Sequence, residues 1–364
     1  MTKILFFSKI RRHLSRYQRE IRFVILSALI YFLILFLYSF LPPIIKFAQT
    51  FLQGPGSLIS FTRDPLETLH STNNRTNLLL MGMGGAGHEG ALLTDSMLVL
   101  SYNHNTKVIH LISLPRDLWV DSLKTKINAA YYYGEQKQPG GGLILAKSAA
   151  TELTGLPIHY GFTIDFAGFE KAIDLVGGVN INIERSFDDY QYPIPGLENT
   201  YPESLRYEHL RFEAGLEHMN GERALKFVRT RHAEGDEGTD FARSHRQQLV
   251  LLAFKDQLVS TQTLLSPQRL SELIDLYSQY TNTDIVGTEY TAFARLVLLL
   301  KRDQIKSITL STGDEKTNEL GILENPKNRN PYQGQYILIA RDGNWNALKQ
   351  YIQNELNNWL SFRP

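Results

Sequence analysis

The segment from Phe227 to Gln248, FVRTRHAEGDEGTDFARSHRQQ, gathers cations in a pattern that could hold an anion. Arg229 and Arg231 are separated by one residue, and a short acidic, glycine-bearing stretch follows. Arg243, Arg246 and Gln247 then fall at spacings of three and four, so on a helix they share one flank. The stripe Arg243, Gln247, Val250, Phe254 begins cationic and ends apolar. A fully solvated helix face would not turn apolar halfway. The pattern points to a helix whose inner face lines a pocket at one end and a core at the other. Guanidinium groups gathered there match an anion with several oxygens, phosphate or pyrophosphate above all. The plainer reading is surface charge, or ion pairing to Glu234, Asp236, Glu237 and Asp240.

A second stretch, Met81–Asp95, reads MGMGGAGHEGALLTD. Glycines after a strand let backbone amides approach phosphate closely. The spacing is neither a dinucleotide fingerprint nor a Walker A loop, since no Gly-Lys-Ser/Thr follows. Asp95 opens the next strand, where a carboxylate could hold Mg²⁺ against phosphate oxygens or simply cap a turn. His88 and Glu89 read as loop residues. Ser113-Leu-Pro-Arg116-Asp117 follows an apolar strand, so Arg116 is either half of a structural ion pair or a cation delivered into a ligand crevice. No Gly-x-Ser-x-Gly elbow and no zinc-like His/Cys spacing occurs, and His209 and His218 stand isolated.

These residues need a scaffold, and the pattern from Asn77 onward is α/β. Asn77–Met83 is an apolar run. Met97–Tyr102 and Lys107–Ser113 flank a hairpin turn at Asn103-His104-Asn105. Gly142–Leu153 reads as helix, Ile158–Ile164 as strand, and the helix through Phe166, Phe169 and Ile173 ends at Gly177-Gly178. Residues 185–206 read as a loop. Asn220 is placed to cap a helix that delivers Arg229 and Arg231 just beyond it. Helices near 265–280, 287–301 and 343–360 and strands near 305–310 and 336–340 complete one domain over 71–364.

The N-terminus supplies the compartment. Phe23–Leu41 is nineteen residues without a charge, about 28 Å of helix and enough to cross a bilayer core. Seven bases and one acid precede it, and only Lys46 and Arg63 follow as bases up to residue 67. The expectation is a cytoplasmic tail over 1–22, an uncleaved transmembrane helix over 23–41, a Pro- and Gly-bearing stalk over 42–70, and a domain outside the cell. The chain has no cysteine, which removes disulfides and thiol chemistry. A net charge of +1 gives no global pull toward nucleic acid.

Read in order, Thr94-Asp95-Ser96-Met97, Ser113-Leu-Pro-Arg116-Asp117, Lys126-Ile-Asn128-Ala-Ala-Tyr131, Val176-Gly-Gly-Val179, Leu216-x-x-x-Asn220-Gly-Glu-x-Ala-Leu225, Val228-Arg-Thr-Arg231 and Asp240-x-x-Arg243-x-x-Arg-Gln247 strongly resemble the LytR-CpsA-Psr family over nearly the whole domain. The resemblance implies a mixed-sheet α-β-α sandwich with a hydrophobic groove for a lipid tail. It implies a Mg²⁺-dependent phosphotransferase of the bacterial envelope. Such an enzyme moves a glycopolymer from a polyprenyl-pyrophosphate carrier in the lipid bilayer to a peptidoglycan hydroxyl. By matching positions, Asp95 would be a Mg²⁺ ligand. Arg116, Arg229, Arg231, Arg243 and Gln247 would hold the pyrophosphate, with Arg246 beside them, and Arg116, Arg229 and Arg231 would act in catalysis. The family often has an acid where this chain has Met83, and methionine is a poor Mg²⁺ ligand. Either Glu89 or His88 substitutes, or Asp95, water and substrate suffice. The competing readings are a non-catalytic binder of polyprenyl phosphates or wall polymers, and a pyrophosphatase. A membrane-bound transcriptional regulator is disfavoured, because a tail of about twenty residues cannot hold a DNA-reading fold.

Overall fold

The structure is a computed structural model that describes residues 17–51, 65–85, 90–194, 196–197, 199–314 and 319–358. Strands β1 (Arg75–Met83), β2 (Thr94–Asn103) and β3 (Ile109–Ser113) form an antiparallel meander. Strand β4 (Tyr160–Asp165) joins β1 in parallel. With β9 (Thr281–Thr283) and β10 (Ile305–Thr309) at the edges, the six-stranded mixed sheet runs β9-β4-β1-β2-β3-β10. The period-two alternation of the strand residues sorts side chains to two faces. Leu79, Met81, Met97, Val99 and Ile112 meet helices α2 (Ala130–Lys137), α3 (Gly141–Thr154) and α9 (Trp345–Asn357). On the opposite face Leu78, Leu98, Tyr102, Ile109 and Leu111 meet Ala292, Phe293 and Leu296 of α8 (Glu289–Leu299) and Leu251 of α6 (Asp240–Leu258). Both faces are covered, which gives the α-β-α sandwich expected.

Beside the sheet lies a second core. Strands β5 (Val179–Ile183) and β8 (Gly215–Met219) pair, as do β6 (Phe187–Pro193) and β7 (Tyr207–Phe212). They pack with α4 (Phe166–Leu175), α5 (Gly221–Arg229) and one side of α6 through Ile173, Phe187, Phe212, Phe227 and Val250. The loop expected over 185–206 is therefore in part a strand. Phe187, Asp189 and Tyr192 point inward across a bulge in the pairing with β7, and a bulge hides the alternation that would reveal a strand. Helix α7 (Pro267–Tyr280) packs against α4.

The N-terminal helix α1 runs unbroken over Gln18–Phe51. Its segment Arg22–Lys46 is long and apolar enough to cross a membrane. The sequence placed the end of this helix at Leu41, but it continues through Pro42 and Pro43. Proline fixes φ at a helical value, and what it forfeits is one backbone hydrogen bond. Pro43 is buried where α1 meets α7, and Lys46 Nζ reaches Ser271 Oγ at 3.0 Å and Asp275 Oδ2 at 2.6 Å. Residues 42–51 of the expected stalk are thus helix docked on the domain, and 52–64 lie outside the described residues.

Candidate active site

Strand β2 begins with an irregularity. Gly82 pairs with Ser96 and Met83 with Thr94, so Asp95 is the extra residue of a bulge. Bulges re-aim side chains beside active sites. Here Asp95 Oδ1 accepts from Arg116 Nη1 at 2.5 Å and lies 3.6 Å from Arg231 Nη2. Arg116 follows β3, and its Nε is 3.6 Å from Asp117 Oδ2, whose other oxygen takes Lys126 Nζ at 2.7 Å. Arg116 is therefore oriented by one carboxylate and bonded to another, which serves both readings of its sequence context.

Helix α5 delivers the paired arginines. The Asn220 side chain accepts from Arg223 N at 2.9 Å, as the sequence predicts. Gly221 permits the close approach of α5 to α4, since a Cβ there would stand 2.2 Å from Glu170 O. Asp174 Oδ1 accepts from Gly221 N at 2.7 Å. Arg229 then ends the helix with its guanidinium 4.3 Å from the Phe166 ring and Nη1 3.3 Å from the Tyr192 hydroxyl. A cation over a ring face keeps its in-plane donors available to an anion. Burial pushes the Tyr192 phenol above its ordinary range, while the Arg229 and Lys226 cations pull it down. On α6, capped by Thr239, Gln247 Nε2 donates to Ser96 Oγ at 2.9 Å.

Asp95, Arg116, Arg229, Arg231, Arg243 and Gln247 line one cavity of about 270 Å³. The pocket reading of the arginine stripe thus prevails over the surface-charge reading. Three further lining residues escaped the sequence: Asp189, Tyr192 and His232. Asp189 is fully buried, and its two oxygens accept from Gln191 N at 2.9 Å and His232 N at 3.3 Å. It fastens the chain just after Arg231 to strand β6. Four guanidiniums face two carboxylates in this space, so the cavity is a net cationic container suited to a polyanion.

Arg246 is a correction. It does not join the other arginines. It is 3% exposed, with Nε on Phe227 O at 3.1 Å, Nη2 on Thr230 O at 2.9 Å, and Nη1 on Glu237 O at 2.9 Å and Glu237 Oε2 at 3.0 Å. Burial lowers it to about 10, with Glu237 opposing the shift. Its role is to tie α6 to the end of α5, so it holds Arg229 and Arg231 in place from behind. Here the ion-pair reading of the segment was the right one for a single residue. Met83 is 7% exposed and packs in the core, so no ligand stands at that position. Glu89 and His88 lie outside the described residues.

Among the described residues no group of three or more His, Asp or Glu forms a metal site. Of the two carboxylates that line the cavity, Asp189 is taken up by backbone amides, and Asp95 fits a hard cation only when phosphate oxygens and water complete its shell, which is the usual way Mg²⁺ is held.

Residues 57–332 match the sequence profile of the LytR_cpsA_psr family, three quarters of the chain. The chain belongs to that family. Among its relatives is TagV of Bacillus subtilis (strain 168), named a polyisoprenyl-teichoic acid–peptidoglycan teichoic acid transferase. It is 27% identical over 245 residues, which cover 65% of this chain and 57% of TagV. TagU of Oceanobacillus iheyensis, named the same way, is 28% identical over 224 residues, 60% of this chain and 62% of TagU. The regulatory protein MsrR of Staphylococcus aureus (strain Mu50) is 29% identical over 292 residues, 78% of this chain and 76% of MsrR. The match thus spans less than two thirds of the length of the two transferases. The crystal structure of B. subtilis TagV shares the fold with a TM-score of 0.53 at 23% identity, covering 79% of this chain and 99% of that one. A structure of TagT bound to LIIa-WTA superposes with a TM-score of 0.51 at 20% identity, covering 78% and 92%. The fold and family inferred from the motifs therefore hold for this LytR_cpsA_psr protein.

Proposed function

We propose that this protein transfers a glycopolymer from a polyprenyl-pyrophosphate carrier to a peptidoglycan hydroxyl, leaving a phosphodiester link. The observation that carries the reading is the convergence of Arg116, Arg229, Arg231, Arg243 and Gln247 with Asp95 on one cavity. Phosphoryl transfer requires positioned cations more than a covalent nucleophile. The acceptor oxygen attacks the phosphorus next to the sugar. The bond from that phosphorus to the bridging oxygen breaks, polyprenyl phosphate leaves with the electron pair, and the hydroxyl proton passes to solvent. The arginines hold the two phosphates in line and stabilise charge as it builds on the leaving phosphate. Gln247 and Ser96 set the floor on which one phosphate rests. Asp95 would hold Mg²⁺, which when bound neutralises phosphate charge. The relatives named as teichoic acid transferases support the class of donor and acceptor. The cationic residues ahead of α1 support an N-terminus in the cytoplasm and a domain outside, with α1 keeping the site near a lipid-borne donor. The apolar seam between the sheet and α8, where Leu80, Leu100 and Leu296 are partly exposed, would take the lipid tail.

A non-transferring binder of the same carrier is the second reading, favoured by the apolar Met83 at a position the family often gives to an acid. Full-length protein in proteoliposomes, supplied with a polyprenyl-pyrophosphate glycan and peptidoglycan, separates the outcomes. Mg²⁺-dependent linkage that Arg229→Ala abolishes supports the transferase. Release of polyprenyl phosphate and free glycan phosphate without linkage marks a pyrophosphatase. Retention of the lipid with no turnover at any Mg²⁺ concentration marks a binder.

A further inference from the structure

Four exposed leucines gather at the end of α6 farthest from the cavity. Leu264 and Leu265, just ahead of α7, are 40% and 68% exposed, and Leu298 and Leu299, at the end of α8, are 45% and 62% exposed. The last turn of α6 joins the two pairs. Thr263 Oγ1 donates to Gln257 O at 2.8 Å, and Lys255 Nζ donates to Leu300 O at 2.7 Å. Large apolar side chains exposed on two elements at one helix end mark an interaction surface.

The anchor helix indicates which partner. Phe23–Ile45 carries no charge, and Lys46 is the first charged residue after it. A cation that closes a membrane span sits among lipid headgroups. Lys46 Nζ is 2.6 Å from Asp275 Oδ2 and 3.0 Å from Ser271 Oγ, so the span holds α7 at headgroup level. Leu265 precedes Ser271 by six residues, on the order of 10 Å at helical rise. Arg295, Lys301 and Arg302 flank the Leu298–Leu299 pair, with Arg302 ion-paired to Asp256 at 2.6 Å and Asp303 next in the chain. Leucines bordered by cations suit an apolar leaflet edge beneath anionic headgroups.

We propose that this leucine corner is a membrane-docking surface, seated in the leaflet that faces the domain. The inference rests on the reading of α1 as a membrane span. It makes the domain a body fixed to the bilayer at two places rather than a bead on a tether. Gln247 and Lys255 lie eight residues apart on α6, so the cavity lies about 12 Å from the corner along that helix.

The absence of native cysteine allows a direct test. Leu33→Cys, Leu265→Cys, Leu299→Cys and Leu216→Cys, each in the full-length chain, are labelled with an environment-sensitive fluorophore and reconstituted in vesicles containing anionic phospholipid. Leu216, 76% exposed on β8, reports on the aqueous side. Each label is quenched with a nitroxide phospholipid and with aqueous iodide. The expected result is lipid quenching at 33, 265 and 299 at least threefold above that at 216, with iodide quenching reversed. Lipid quenching at 33 with 265 and 299 matching 216 overturns the docking surface and leaves the span intact. Loss of lipid quenching at 33 overturns the span reading and the docking surface with it, while the transfer assay remains free to succeed or fail. Protection of 265 and 299 from both quenchers means that protein covers the leucines, which also overturns the proposal.

Discussion

Arg246 separates a phosphate-binding arginine from one that holds the fold. Its guanidinium makes four hydrogen bonds to three backbone carbonyls and the Glu237 carboxylate, and it is 3% exposed. Arg246→Ala leaves those acceptors buried without donors and strands the Glu237 charge. Each orphaned acceptor costs about 1 kcal/mol, and breaking a buried pair costs about 3–5 kcal/mol in all. The lost packing against Phe187, 4.9 Å from the guanidinium carbon, adds to this. For a domain of this size 1 kcal/mol corresponds to about 2–4 °C, so the melting temperature should fall by about 10 °C. Arg229→Ala instead removes one 3.3 Å hydrogen bond and one ring contact to Phe166 on a cavity wall, and the expected loss is about 1–2 kcal/mol. Thermal unfolding of both variants, paired with binding of polyprenyl pyrophosphate, is the assay. If Arg246→Ala melts with the wild type and has lost donor affinity, Arg246 binds the donor and does not hold the fold.

Asp95→Asn should leave the melting temperature within about 3 °C, because its ion pairs are a third exposed and worth little. Transfer should fall by about 10²–10³-fold with the Mg²⁺ half-saturation raised, and an unchanged Mg²⁺ titration would remove Asp95 from metal binding. His110, 3% exposed in the sheet, is lowered to about 4 by burial first and by the Arg75 and Lys306 cations second. The unfolded chain then binds the extra proton at higher pH. Stability should decline as pH falls below about 6.5 and continue to about 4, by about 3 kcal/mol, and His110→Gln should flatten that part of the acid-unfolding curve. Asp189→Ala should release the segment after Arg231. We expect donor affinity to fall at least tenfold and transfer with it, measured by lipid binding, whereas intact affinity would leave Asp189 a fold residue alone.

The sheet and most of the site were legible because their signals are local. The apolar run at Asn77–Met83, the Asn220 cap and the Gly177-Gly178 stop each report on a few neighbouring residues, and each lies where the pattern placed it. Arg246 was misplaced because α6 runs between two cores. Val250 packs in one and Leu251 against the sheet, so burial surrounds the helix and periodicity cannot say which polar side chain faces the cavity. The Asp95 bulge depends on how β1 pairs with β2, and Asp189 depends on a hairpin whose own bulge breaks the alternation. Pairing registers of this kind are long-range properties. The extension of α1 past Pro42 and Pro43 rests on docking to α7, which is more than two hundred residues away in sequence.

The most direct measurement is the affinity of the full-length protein for polyprenyl pyrophosphate and for polyprenyl monophosphate, wild type beside Arg231→Ala. Arg231 reaches both Asp95 and the cavity, and it is not part of the Arg246 clamp. The wild type should favour the pyrophosphate by at least tenfold, and Arg231→Ala should lose most of this preference while binding the monophosphate nearly as before. Equal affinity for the two lipids, or a preference untouched by the substitution, would mean that the arginine cavity does not hold the pyrophosphate.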